Sequence, residues 1–124
     1  MSANQDLMSQ KEQDSTRILV AEAVSMLEEK TALLIDIREQ EELEAEGKAK
    51  GALWFPLSKL LVDEATLDAS LATLDLTKTL IFYCKSGGRV SRLLAILPQK
   101  NIVARNMGGL KDWIAAGQKV ESFK

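Results

Sequence analysis

The stretch Leu80-Ile81-Phe82-Tyr83-Cys84-Lys85-Ser86-Gly87-Gly88-Arg89-Val90 decides the reading of this chain. Thr79 to Tyr83 is apolar, aromatic and branched, the composition of a buried strand. It delivers Cys84 to the strand's carboxyl end. A short turn with two glycines follows, and then Val90 to Leu97 repeats apolar residues at helical spacing up to Pro98. Gly87 and Gly88 open backbone angles closed to other residues. Such a loop can turn successive N–H groups inward as an anion nest, and the helix start adds partial positive charge. Lys85 and Arg89 add full charges. Each term favours the thiolate of Cys84, the nucleophilic form of cysteine. The alternative is a cysteine that serves only as a small buried hydrophobe.

Outward from this loop, short apolar runs alternate with amphipathic stretches. Arg17 to Val20 reads as a first strand and Glu22 to Glu29 as a helix. Ala32 to Ile35 is a compact strand ending at Asp36. Glu39 to Glu46 is an acidic helix closed by Gly47, and Ala52 to Phe55 is a strand stopped by Pro56. Leu67, Leu71 and Leu74 share a helical stripe, Ile102 to Ala104 is a last strand, and Leu110 to Ala116 is a helix between Gly109 and Gly117. The alternation predicts an α/β domain with a mainly parallel sheet of about five strands and helices on both faces. In such sheets ligands bind beyond the carboxyl ends of the strands, where Cys84 is expected.

Composition narrows the chemistry. The chain has 124 residues, 46% hydrophobic and 27% charged, with no histidine and one cysteine. A Ser-His-Asp triad, a Cys-His dyad and a histidine zinc site are excluded. So are an internal disulfide, a C-x-x-C redox pair and a multi-thiolate metal cluster. No metal or cofactor is expected. The net charge of -2 speaks against general nucleic-acid binding. The charge is uneven, however. Asp36 to Glu46 carries six acids and one base, and Cys84 to Lys111 carries six bases and no acid. Residues 1–15 are polar and read as a flexible tail without a signal peptide, and no apolar run is long enough to cross a membrane. The expectation is a cytoplasmic protein whose domain spans residues 16–124.

Cys84-Lys85-Ser86-Gly87-Gly88-Arg89 resembles the C-x-x-G-x-R active-site loop of single-domain rhodaneses. Three more segments agree in family order. Leu33-Leu34-Ile35-Asp36-Ile37-Arg38-Glu39 is similar to the family's D-V-R-E strand end. Gly51-Ala52-Leu53-Trp54-Phe55-Pro56-Leu57 resembles G-A-x-x-I-P-L. Asn106 to Trp113, continued by Ala116-Gly117, resembles the closing G-G-x-x-x-W…A-G helix. The resemblance runs from about Arg17 to Val120. It departs at Gly47-Lys48-Ala49-Lys50-Gly51-Ala52, where many members carry G-H-I-P-G-A.

The resemblance implies a sulfurtransferase that moves a sulfane sulfur through a persulfide on Cys84. The donor would be an anion such as thiosulfate, and the acceptor cyanide or a thiol, with thioredoxin or a cysteine desulfurase as protein partners. The backbone amides of Lys85, Ser86, Gly87, Gly88 and Arg89 would hold the charged sulfur, Lys85 and Arg89 would draw in the anionic donor, with bracing of the loop a further role for Arg89, and Arg38 is a further substrate-contact candidate. Asp36 is expected to be structural, tying loops together or capping the following helix. The alternative functions are a protein-partnered sulfur-relay or binding module and, less favoured, a phosphatase. Related phosphatases place five residues between Cys and Arg; here there are four, and Val90 occupies the next position. Trp54, Phe55 and Trp113 read as core aromatics, and the acidic helix as a solvated face.

Overall fold

The structure, a computed structural model, describes residues 15–97 and 101–123. The expected N-terminal tail lies outside the described residues except for Ser15, as does Pro98. In chain order the elements are α1 (Val20–Glu28), β1 (Ala32–Asp36), α2 (Gln40–Glu46), β2 (Lys48–Ala49), β3 (Leu53–Trp54), α3 (Leu57–Leu60), α4 (Glu64–Leu71), β4 (Thr79–Cys84), α5 (Gly88–Leu94), β5 (Ala104–Gly109), α6 (Leu110–Ala115) and β6 (Val120–Glu121).

The central sheet has four parallel strands in the order β3-β1-β4-β5. The expected count of about five is therefore one too high. The missing strand is Arg17 to Val20. It contributes a single parallel bridge, Arg17 to Asn106, because Val20 already belongs to α1. A separate two-stranded antiparallel pair, β2 with β6, joins Lys48 to Glu121 and Ala49 to Val120.

Successive side chains of a strand point to opposite faces, and β1 and β4 are apolar on both. Ile35, Leu80, Phe82 and Cys84 face a core completed by Leu57 and Leu60 of α3, Leu67 and Leu71 of α4, and Val90 and Leu93 of α5. Leu34, Ile81 and Tyr83 face the other way, against Ala23 of α1 and Leu110 and Trp113 of α6. Burial on both faces explains the near-continuous apolar reading of these strands. It also leaves their carboxyl ends as the natural place for polar chemistry, and both Asp36 and Cys84 stand there.

Two further expectations shift in detail. The last strand, expected at Ile102 to Ala104, runs instead over Ala104–Gly109. Pairing with β4 overrides the poor strand propensity of its Arg-Asn-Met-Gly-Gly sequence. The helix after Cys84 starts at Gly88, two residues earlier than its apolar spacing suggests.

Candidate active site

Cys84 ends β4, 1% exposed, at the floor of the loop Lys85–Gly87. The Gly87 N–H donates to Cys84 Sγ at 3.0 Å. That amide can point inward because Gly87 adopts φ +101, a left-handed conformation that side-chain-bearing residues rarely take. Gly88 is different: it lies in the first turn of α5 with open space beside it, so only the first glycine is needed for the turn.

The Gly87 peptide is held on its outer side as well. Its carbonyl accepts from the Ser91 N–H at 3.0 Å, the Ser91 hydroxyl at 3.2 Å and the Asn106 side-chain amide at 3.0 Å. Asn106 is fully buried, and its side-chain oxygen accepts from the Gly108 N–H at 2.9 Å. One side chain thus ties the Cys84 loop to the end of β5. The sequence assigns Asn106 no role of its own beyond opening the closing-helix resemblance, since a polar residue at that position carries no signal until β4 and β5 are paired.

Between Phe82–Asn106 and Cys84–Gly109 the register of β4 and β5 slips by one residue, a bulge that brings Gly109 opposite Cys84. A side chain on Gly109 would run into the Lys85 carbonyl, so the backbone of β5 packs directly on the loop.

Arg89 leaves α5 toward the acidic helix. Its guanidinium donates to both oxygens of Glu42 at 2.7 Å, a fork-to-fork pair. The Arg89 guanidinium holds the Glu42 carboxyl well below the usual range, at about 2, with help from the Glu39 N–H at 2.9 Å. The expected solvated face of α2 is therefore put to use. Glu42 grips the Cys84 loop through Arg89. Glu39 accepts from the Ser58 hydroxyl at 2.6 Å and the Ser58 N–H at 3.2 Å, at the start of α3. Glu46 pairs with Arg38 at 3.1 Å.

Arg38 is fully buried. Its guanidinium donates to Asp36 at 2.8 Å, to Glu46 at 3.1 Å and to the Gly47 carbonyl at 2.6 Å. Asp36 also accepts from the Tyr83 hydroxyl at 2.6 Å, and that hydroxyl accepts from the Ala49 N–H at 2.9 Å. Burial and the adjacent Asp36 charge push the Tyr83 phenol far up, so it stays neutral and donating. This network ties the ends of β1, β2 and β4 together below the loop. Trp54 adds to it, its indole N–H donating to the Arg38 carbonyl at 2.8 Å while its ring meets Phe123 edge-on.

Of the site residues expected from sequence, the structure gathers Cys84, Lys85, Ser86, Gly87, Gly88 and Arg89 into one loop and helix start. It places Asp36 and Arg38 in the buried network beneath. Lys85 and Ser86 are exposed at the rim. Among the described residues, no group of His, Cys, Asp or Glu could hold a metal ion, and no helix is long and apolar enough to cross a membrane.

Comparison with curated proteins finds no match. Solved structures do match. A rhodanese-related protein from Thermoplasma volcanium is 24% identical, with 85% of this chain and 96% of that one covered, at a TM-score of 0.68. A rhodanese-like domain protein from Staphylococcus aureus is 24% identical, with 86% and 99% covered, at 0.66. A Rhodopseudomonas palustris protein of unknown function, described as a possible tyrosine phosphatase, is 21% identical, with 98% and 96% covered, at 0.71. These likenesses establish the fold. The profile of the rhodanese-like domain family matches residues 19–116, from the start of α1 through α6, and with the Cys84 loop at the carboxyl edge of its parallel sheet the chain belongs to that family.

Proposed function

We propose that this protein is a sulfurtransferase that carries a sulfane sulfur on Cys84. The observation that carries the reading is the Gly87 N–H aimed at Cys84 Sγ, 3.0 Å away, in a loop that needs no imidazole to present a sulfur anion. Thiosulfate supplies the sulfur. The Cys84 thiolate attacks its outer sulfur, an S–S bond forms to Sγ, the S–S bond of thiosulfate breaks, and sulfite leaves with the electron pair. The terminal sulfur of the resulting persulfide is anionic and sits over the loop amides. Cyanide or a thiolate then attacks that sulfur, and Cys84 departs as the thiolate. No proton need be abstracted in either step, consistent with a chain that lacks histidine.

In this reading Lys85, Ser86, Gly87 and Gly88 contribute chiefly backbone amides, and the Lys85 ammonium draws in the anionic donor. Arg89 braces the loop through Glu42. Arg38 and Asp36 form its buried foundation, without direct contact to substrate. Phosphate-ester hydrolysis fits less well. Four residues separate Cys84 from Arg89, and the next residue, Val90, is fully buried on the core side of α5.

The test is mass spectrometry of the protein before and after thiosulfate, with thiocyanate formation from cyanide as the turnover assay. Wild-type protein gains one sulfur atom on Cys84 and forms thiocyanate; Cys84→Ser does neither. Turnover persisting in Cys84→Ser would refute the reading.

A further inference from the structure

The obvious cation of the loop, Arg89, has its charge matched by Glu42. A second arginine reaches the same loop from outside the motif. Thr16 to Ile18 run alongside β5, the Thr16 carbonyl accepting from the Asn106 N–H at 2.7 Å and the Ile18 N–H donating to the Asn106 carbonyl at 3.0 Å. This holds Arg17 beside the active loop. Its guanidinium fills a notch left by two glycines with positive φ. A β-carbon on Gly87 would lie 2.7 Å from Arg17 Nη1, and one on Gly108 would lie 3.2 Å from Nη2. Gly87 is the residue whose N–H meets Cys84 Sγ. Arg17 is exposed and, among the described residues, makes no ion pair. The carboxylate nearest the notch is Asp112, which would lie 2.7 Å from a β-carbon on Gly108 and accepts from the Gly109 N–H at 2.9 Å.

We infer that Arg17 is a second donor-selecting cation of this site, beside Lys85: seated against Gly87, it favours anionic sulfur donors over neutral ones at Cys84. The inference rests on Cys84 being the sulfur acceptor. A guanidinium beside the Gly87 peptide acts through space on any anion that approaches the sulfur. The pair with Glu42 offsets much of the Arg89 charge, whose remaining pull still reaches Cys84, and the missing side chains of Gly87 and Gly108 let Arg17 approach. Thiosulfate and organic thiosulfonates are the donor class it favours; neutral trisulfides gain nothing from it.

Alkylation of Cys84 isolates this effect from sulfur transfer. Iodoacetate and iodoacetamide both form a thioether at Sγ and release iodide, and they differ in charge. The ratio of their rates on Cys84 is measured in wild type, Arg17→Gln and Arg17→Lys. The expected result is a fall in the iodoacetate-to-iodoacetamide ratio of about three- to tenfold in Arg17→Gln at low salt, as for one partly screened charge. Arg17→Lys, which keeps the charge, holds the ratio within about twofold. A loop merely loosened by the substitution would change both rates together and leave the ratio in place. An unchanged ratio in Arg17→Gln overturns the inference, and so does an equal loss in Arg17→Lys. Failure of the sulfurtransferase reading shows separately, as wild-type Cys84 that takes no sulfur from thiosulfate while the alkylation ratio still reports on Arg17.

Discussion

Replacing Glu42 by Gln removes one charge from the grip of α2 on the Cys84 loop while leaving an amide of the same shape. The side chains of Arg89 and Glu42 are 28% and 26% exposed, so the pair is partly shielded from solvent. The Arg89 pair, aided by the Glu39 N–H, takes the Glu42 carboxyl from 4.5 to about 2. At about 1.4 kcal/mol per pH unit, that shift corresponds to about 3 kcal/mol of folding stability at neutral pH, and partial screening brings the expected loss to about 2 kcal/mol. For a chain of this size the loss lowers Tm by roughly 8 °C. The sign follows from a carboxyl whose value is lower folded than unfolded: the stabilisation is complete above 4.5 and fades as the pH falls through about 2. Urea denaturation of wild type and Glu42→Gln at pH 7 and pH 3 measures it. The gap at pH 3 should be less than half of that at pH 7. A gap of the same size at both, or one below about 0.5 kcal/mol at pH 7, would show that the charge pair does not hold the loop.

Two further perturbations probe the surroundings. Gly109→Ala forces a methyl group into the Lys85 carbonyl, backbone against backbone. It should cost about 2 kcal/mol or more and slow persulfide formation at Cys84 at least about tenfold, measured by denaturation and single-turnover mass spectrometry. Tyr83→Phe leaves the Ala49 N–H without its acceptor and Asp36 without one donor. Thermal melts should show a loss of about 1–3 kcal/mol, with the sulfur-transfer rate of the folded protein little changed, because the phenol lies below the loop and not in it.

How far the sequence alone reaches depends on how local each feature is. β4, Cys84 and the glycine turn are contiguous, so their apolar run and punctuation declare them directly. β1 ends at Asp36 for the same reason, its Leu33-Leu34-Ile35 run being buried on both faces. What escapes is set by pairing at a distance. Glu42 looks like one more solvated acid until Arg89, 47 residues on, comes to meet it. Asn106 carries no signal between Arg105 and Met107 until its amide finds Gly87. β2 and β6 span two residues each, too short for any alternation to show. Arg17 to Val20 fails as a strand because the start of α1 claims Val20, leaving one bridge. Gly87 and Gly88 look equivalent as neighbours, and only the left-handed φ of the first separates them.

The order β3-β1-β4-β5 has a consequence for how the chain is made. Both neighbours of β1 are synthesised after it: Ile35 waits for Leu53, and Ala32 for Thr79. No hairpin shelters the Leu33-Leu34-Ile35 run meanwhile, so an aggregation-prone edge stays open while roughly half the domain is translated. Vectorial synthesis therefore leaves β1 as the segment where chaperone capture of the nascent protein should concentrate.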